Sequence, residues 1–220
     1  MKYFNSFDKL LFLFFAFIGT MIAFRIYFTG SPYYLSLAWN IFLGWIPYVL
    51  SNYFTYVQKK QTWKKLFLFA SWLLFFPNAL YIVTDLIHLQ EASAMPAWYD
   101  AVLLFASSFV GILLAFVSLR RAERFLRKYF RPLSVTLSVP LILFLSSFGV
   151  YLGRFDRWNS WDVINNPLAL GLNIFSYISS PIDNVRTWAI TVIFTAIYSL
   201  LYFSMKILPL AISENKNTGR

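Results

Sequence analysis

Between Leu10 and Ile207 the chain presents six apolar stretches, each close to the roughly 20 residues that an α-helix needs to cross a hydrocarbon core about 30 Å thick. No other feature of the sequence narrows the fold so far. They run from Leu10 to Phe28, Tyr33 to Val57, Leu66 to Leu86, Ala101 to Leu119, Leu133 to Leu152 and Trp188 to Ile207. The connections hold the polar punctuation: FTGSP, QKKQTWKK, QEASAMPAWYD, RRAERFLRKYFRP and the long region from Gly153 to Thr187. A backbone in lipid must satisfy its own hydrogen bonds, which helices do within one segment. The reading is an all-α, polytopic integral membrane bundle of six transmembrane helices, forming a single membrane-embedded domain over residues 1–220.

Composition agrees. Hydrophobic residues make up 59% and charged residues 13%, against roughly 45–50% and about 25% in ordinary soluble domains. The chain has no cysteine and one histidine, which excludes thiolate chemistry and any multi-histidine zinc site within one chain. Its net charge of +10 suggests nucleic acid only if the basic residues form a face on a soluble fold, and here they flank apolar runs. No nucleic-acid partner is expected. The partner is the lipid bilayer.

Cytoplasmic loops retain lysine and arginine, so these residues orient the bundle. Lys59, Lys60, Lys64 and Lys65 fall in one connection, and Arg120, Arg121, Arg124, Arg127, Lys128 and Arg131 in another. With Lys2 and Lys9 at the start and Lys206, Lys216 and Arg220 at the end, six spans with both termini cytoplasmic place nearly all the basic residues inside. The Arg120 to Arg131 stretch reads as an anchor beside anionic lipid. Only Arg25, Arg154, Arg157 and Arg186 fall near the outer surface. The expected location is the plasma membrane.

Lys2 and Lys9 before an apolar run resemble a secretory signal, yet no A-x-A-like site follows and Arg25 interrupts the end, so an uncleaved first span is expected. Leu168 to Ser180, between Pro167 and Pro181, is apolar but too short to cross. An interfacial or re-entrant helix within the extracytoplasmic loop 153–187 fits it. A seventh span there would reverse the C-terminus and break the charge pattern. Ser107 with Gly111, and Gly149 with Gly153, would let the fourth and fifth helices approach neighbours closely.

Two polar segments stand out. FFPNALYIVTDLIHL, Phe75 to Leu89, puts Pro77, Asn78, Asp85 and His88 in the outer half of the third span. Pro77 removes a backbone donor and frees polar groups that Asn78 can satisfy. At about 100° per residue, Asn78, Tyr81, Asp85 and His88 share a stripe roughly 80° wide if the α-helix continues past the proline. The second segment, LGRFDRWNSWD, supplies Arg154, Arg157, Asn159, Ser160 and Asp162 beside Asp156. Arginines three residues apart can share a helical face and hold a phosphate or carboxylate. Equally, they can pair with Asp85, Asp156 or Asp162 and staple loops.

Together these segments resemble the paired signature of a family of prokaryotic polytopic membrane proteins known as domain of unknown function 1361. The match lies in FPN, Tyr81, Thr84, Asp85, His88 and GRFxRWNSWD, and similar length implies that it covers nearly the whole chain. Leu80 stands where that pattern has proline, and Asp156 where it has an apolar residue. The family has no established activity, so the resemblance implies topology and the same two segments, not chemistry.

Three function classes remain open. In the first, an outward-facing polar site binds or acts on an anionic amphiphile such as a lipid phosphate: Arg154 and Arg157 hold the anion, Asp85 or His88 serves as general acid or base, and Asn78, Tyr81, Asn159, Ser160 and Asp162 line the ligand. A metal variant would use Asp85, His88 and Glu91 at three-residue spacing, a weak pattern, so no metal is assigned and the cofactor is unknown. In the second class, Pro77 and Asn78 break the third helix of a small-solute transporter. The third is a scaffold or regulator in which the polar groups only hold loops together.

Overall fold

The computed structural model describes residues 6–57, 62–90 and 95–217. Lys2, Lys59, Lys60, Glu91 and Arg220, and the side chain of Lys216, lie outside the described residues. The fold is all-helical, with no strand among the described residues. Among the described residues eight α-helices run in chain order: α1 (Ser6–Thr29), α2 (Leu35–Asn52), α3 (Thr62–Tyr81), α4 (Ala97–Leu126), α5 (Pro132–Phe155), α6 (Asp162–Asn165), α7 (Pro167–Ser179) and α8 (Val185–Asn217). Tyr53–Thr55 and Ile82–Gln90 wind as 3-10 helix.

Among the described residues five segments are long and apolar enough to cross a membrane: Ser6–Thr29, Thr62–Leu89, Ala97–Leu126, Pro132–Phe155 and Val185–Pro209. The expected second span is represented by α2, an 18-residue helix whose apolar run is diluted by Asn40 and Pro47. α7, at 13 residues, is shorter than a span requires. The outward faces agree with the lengths. α5 exposes Leu133, Leu137, Leu141 and Leu145, one every fourth residue, while burying Val135, Val139 and Leu143. A helix as apolar outside as inside is suited to lipid rather than water.

α4 continues past the end of the expected span because Arg, Ala, Glu and Leu are all good helix formers; Arg120, Arg121 and Arg124 therefore project from a helix rather than a loop. Apolar length bounds the lipid-crossing part, not the helix.

The chain divides into two compact units, Met1–Ala122 and Glu123–Arg220. In the first, α2 packs along α3, and the core is Trp72, Phe76, Ala79, Leu80, Ile82, Leu103, Val110 and Leu114, all 0–1% exposed. Glycine sets how closely these helices meet. A β-carbon at Gly111 would lie 2.6 Å from the Ala79 carbonyl oxygen, and one at Gly44 would lie 2.9 Å from Ile82 Cδ1. Gly111 is thus the close approach that the Ser107/Gly111 spacing predicts. In the second unit α5 packs on α8, where Trp188 stacks on Phe148 with centroids 5.4 Å apart. Tyr151, Leu152, Leu170 and Tyr177 form a small core beside them.

Candidate functional site

α3 does not stop at Pro77. It stays α-helical to Tyr81 and then tightens into the 3-10 helix Ile82–Gln90, so the stripe expected of an unbroken α-helix does not form. Residues three apart eclipse in a 3-10 helix, which stacks Ile82, Asp85 and His88 in one row. Ser108 of α4 donates to the Ile82 carbonyl at 3.3 Å, supporting the point where the helix changes pitch. Asn78 donates to the carbonyl of Phe75 at 3.0 Å and Thr84 to that of Tyr81 at 2.6 Å. Asn78 and Thr84 each thus donate to a carbonyl one turn back in their own chain segment, which Asn78 does beside Pro77.

Asp85 is 3% exposed. Asn40 of α2 donates to its Oδ2 at 2.9 Å, and His88 Nε2 lies 4.0 Å from its Oδ1. The other ring nitrogen of His88, Nδ1, is 3.1 Å from the Tyr33 hydroxyl, and the two rings meet edge to face. Tyr33 owes its place to the α1–α2 turn. Gly30, at φ +67°, ends α1 with its N–H on the Ile26 carbonyl at 2.8 Å, the left-handed stop that glycine allows. The Ser36 hydroxyl then holds the Tyr33 carbonyl at 2.9 Å. The result is a chain of polar groups from Asn40 through Asp85 and His88 to a phenol that is 45% exposed.

Beside it lies a buried ion pair. Arg25 Nε donates to Asp100 Oδ1 at 2.8 Å and its Nη2 to Oδ2 at 3.1 Å, and the guanidinium sits 3.9 Å from the centroid of the Tyr34 ring. Tyr34 in turn meets Tyr33 edge to face at 5.4 Å. The opposite end of the unit is tied by Tyr48, which donates to Asp8 at 2.5 Å and accepts from Arg121 at 3.3 Å.

In the second unit α5 ends at Phe155, and Arg157 adopts φ +62°. Arg154 and Arg157 therefore do not share a helical face: the first is on the helix and the second lies beyond its end. A non-glycine residue in the left-handed region costs about 1–2 kcal/mol, and such strain concentrates where side-chain placement matters. Asp156 accepts from the Tyr177 hydroxyl at 2.8 Å; burial first, then this carboxylate, pushes the Tyr177 phenol above its ordinary value of 10.0 and keeps it a donor. Asp162 accepts from the backbone N–H of Asn159 at 2.7 Å and from its side chain at 3.3 Å. Ser160 lies between them, partly buried. Trp158 Nε1 donates to Asn173 at 3.1 Å, which joins this turn to α7.

The sequence singled out Asp85 and His88, which the fold brings together, and Asn159 and Asp162, which bond each other. Tyr33, Asn40 and the Arg25–Asp100 pair were not among its candidates. Asn40 and Arg25 carried a signal, each being the lone strongly polar side chain in an apolar helix face; Tyr33 carried none. Among the described residues no three His, Asp or Glu side chains converge as metal ligands.

The family model described as "Protein of unknown function (DUF1361)" matches residues 39–201. The chain belongs to this family. In this DUF1361 protein the matched residues contain Asn40, Asp85, His88, Asp100 and the whole LGRFDRWNSWD segment, while Arg25 and Tyr33 precede them. No curated protein and no solved structure matches the chain.

Proposed function

We propose that the chain is a six-span protein of a prokaryotic plasma membrane, with both termini cytoplasmic, whose outward-facing polar groups bind and act on an anionic amphiphile carrying a phosphate. The observation that carries this reading is the Tyr33–His88–Asp85–Asn40 chain. It joins a partly exposed imidazole to a buried carboxylate at one end of a unit whose interior is apolar. A buried carboxylate is expensive in such a place unless partnered or used. His88 is the general acid or base, Asp85 sets its tautomer and Asn40 fixes Asp85. The second unit is proposed to carry an anion contact of its own, Arg154 and the strained, exposed Arg157, with Asn159, Ser160 and Asp162 shaping their turn. Asn78 and Tyr81 shape α3. Transport is the weaker reading, because Trp72, Phe76, Leu80, Leu103 and Leu114 fill the interior between the two polar ends of the first unit.

The test is lipid selectivity. Purified protein in nanodiscs is expected to retain a phosphomonoester lipid at least about tenfold over a phosphocholine lipid, a difference of about 1.4 kcal/mol, and Arg157→Ala should erase most of it. The same lipid should slow carbethoxylation of His88, which reports alone because it is the one histidine. Equal retention of both lipids, with no protection of His88, would dispose of the proposal.

A further inference from the structure

We infer that Tyr33 is a catalytic nucleophile, activated by His88 and oriented from the Arg25–Asp100 pair. A nucleophile is recognised by a base within hydrogen-bond reach that is itself oriented by a third group. Tyr33 Oη lies 3.1 Å from His88 Nδ1, and the third group is Asp85, 4.0 Å from Nε2. That separation is longer than a hydrogen bond, as apo catalytic contacts often are. The carboxylate still decides the tautomer. An ionised carboxylate can only accept, so the tautomer with its proton on Nε2 is the one that suits Asp85, and in that tautomer Nδ1 turns its lone pair to the phenol.

The phenol is also held in place. Its backbone is fixed by Ser36, and its ring meets that of Tyr34 edge to face, with Arg25 3.9 Å from the Tyr34 ring centroid. Arg25 is locked in turn by two hydrogen bonds to Asp100. Arg25, Tyr34 and Asp100 are positioning residues, since they reach the reacting oxygen only through the Tyr33 ring. Yet Tyr33 remains 45% exposed, so an electrophile can approach it.

The chemistry balances with water as the only co-reactant. His88 Nδ1 takes the phenolic proton as Tyr33 Oη bonds to the phosphorus of a phosphate ester. The bond from phosphorus to the ester oxygen breaks, and that oxygen leaves with the proton from His88. Water, deprotonated by His88, then cleaves the tyrosyl phosphate and restores the phenol. This step rests on the proposed anionic amphiphile for the identity of the electrophile, but not for the activation of the phenol.

Activation can be read without a substrate. Full-length protein in nanodiscs is treated with an aryl sulfonyl fluoride, and labelled peptides are quantified by mass spectrometry. Tyr27, 88% exposed, is the internal control. Tyr33 is expected to label at least about tenfold faster than Tyr27 despite being half as exposed. His88→Gln should remove that excess, and Asp100→Asn should reduce it severalfold while Tyr27 is unchanged. Labelling of Tyr33 no faster than Tyr27 in the unaltered protein overturns the inference, as does an excess that survives His88→Gln. If His88→Gln does not fold, the wild-type ratio and His88→Asn decide. Equal retention of both lipids with rapid Tyr33 labelling would sink the amphiphile reading and leave the nucleophile standing; the converse would do the reverse.

Discussion

At the scale of single residues, charge burial decides most of what is distinctive here. Arg25 and Asp100 are 5% and 4% exposed, and each is tolerable only because the other is present. Removing one partner of a buried pair leaves an uncompensated charge, which typically costs 3–5 kcal/mol, whereas replacing both with apolar residues of similar size is often close to neutral. Asp100→Leu alone should therefore lower the thermal midpoint in detergent sharply, and Arg25→Met with Asp100→Leu should recover most of it. A double variant no more stable than Asp100→Leu would show that the pair does not work in this way. Glu123 follows the same logic in the second unit. It is 2% exposed, and Tyr202, Lys206 and Arg127 donate to it at 2.6, 2.9 and 2.7 Å. A charge inside an apolar chain thus marks a contact, and the contact must be found before a function is assigned.

At the scale of elements, helix pitch and glycine spacing place the site. Winding Ile82–Gln90 as 3-10 helix puts His88 directly over Asp85, and the packing of Ala79 and Ile82 between Gly44 and Gly111 holds that segment in register. Gly111→Ala would press a methyl onto a backbone carbonyl oxygen, which cannot swing aside, and overpacking of this kind costs about 1–3 kcal/mol. Gly19→Ala, with nothing within 4 Å of the added carbon, should be neutral or stabilising by up to about 1 kcal/mol through helix propensity. Unfolding midpoints of the two variants make the comparison; equal midpoints would remove the argument from close approach. The sequence spacing of Ser107 and Gly111 pointed to this surface on α4. It carried no sign of Gly44, which has a large residue on each side four positions away, Asn40 and Tyr48.

At the scale of the whole molecule, topology rests on α2. Among the described residues five segments are long and apolar enough to cross, and the six-span proposal needs α2 to cross as well. With no native cysteine, single substitutions report without background. Ser31→Cys should react with an impermeant maleimide in intact cells, while Trp63→Cys and Lys128→Cys should react only after permeabilisation. Reaction of Ser31→Cys and Trp63→Cys from the same side would leave five crossings and overturn the proposed placement of the termini.

How much was legible divides along a physical line. Apolar length announces helices, because an α-helix closes its hydrogen bonds within a few residues and the requirement is therefore written locally. The prominence of Asp85 and His88 was legible for the same reason: each is an expensive group in an apolar run, and three-residue spacing brings them onto one face of a tightened helix. The α-to-3-10 change after Tyr81 was not, since its surroundings, the Ser108 hydroxyl on the Ile82 carbonyl and Gly111 against Ala79, come from another helix. Nor was the left-handed Arg157, which a sequence reads as one more turn of helix. Arg25 meets Asp100 across 75 residues, Asn40 meets Asp85 across 45 and Tyr33 meets His88 across 55. No local period encodes such pairs. By itself the sequence determined that the chain would be helical, where its apolar runs would lie and where it would carry costly polar groups. Only the tertiary structure decided which of those groups are partners, because partnership is a matter of distance between helices and not of order along them.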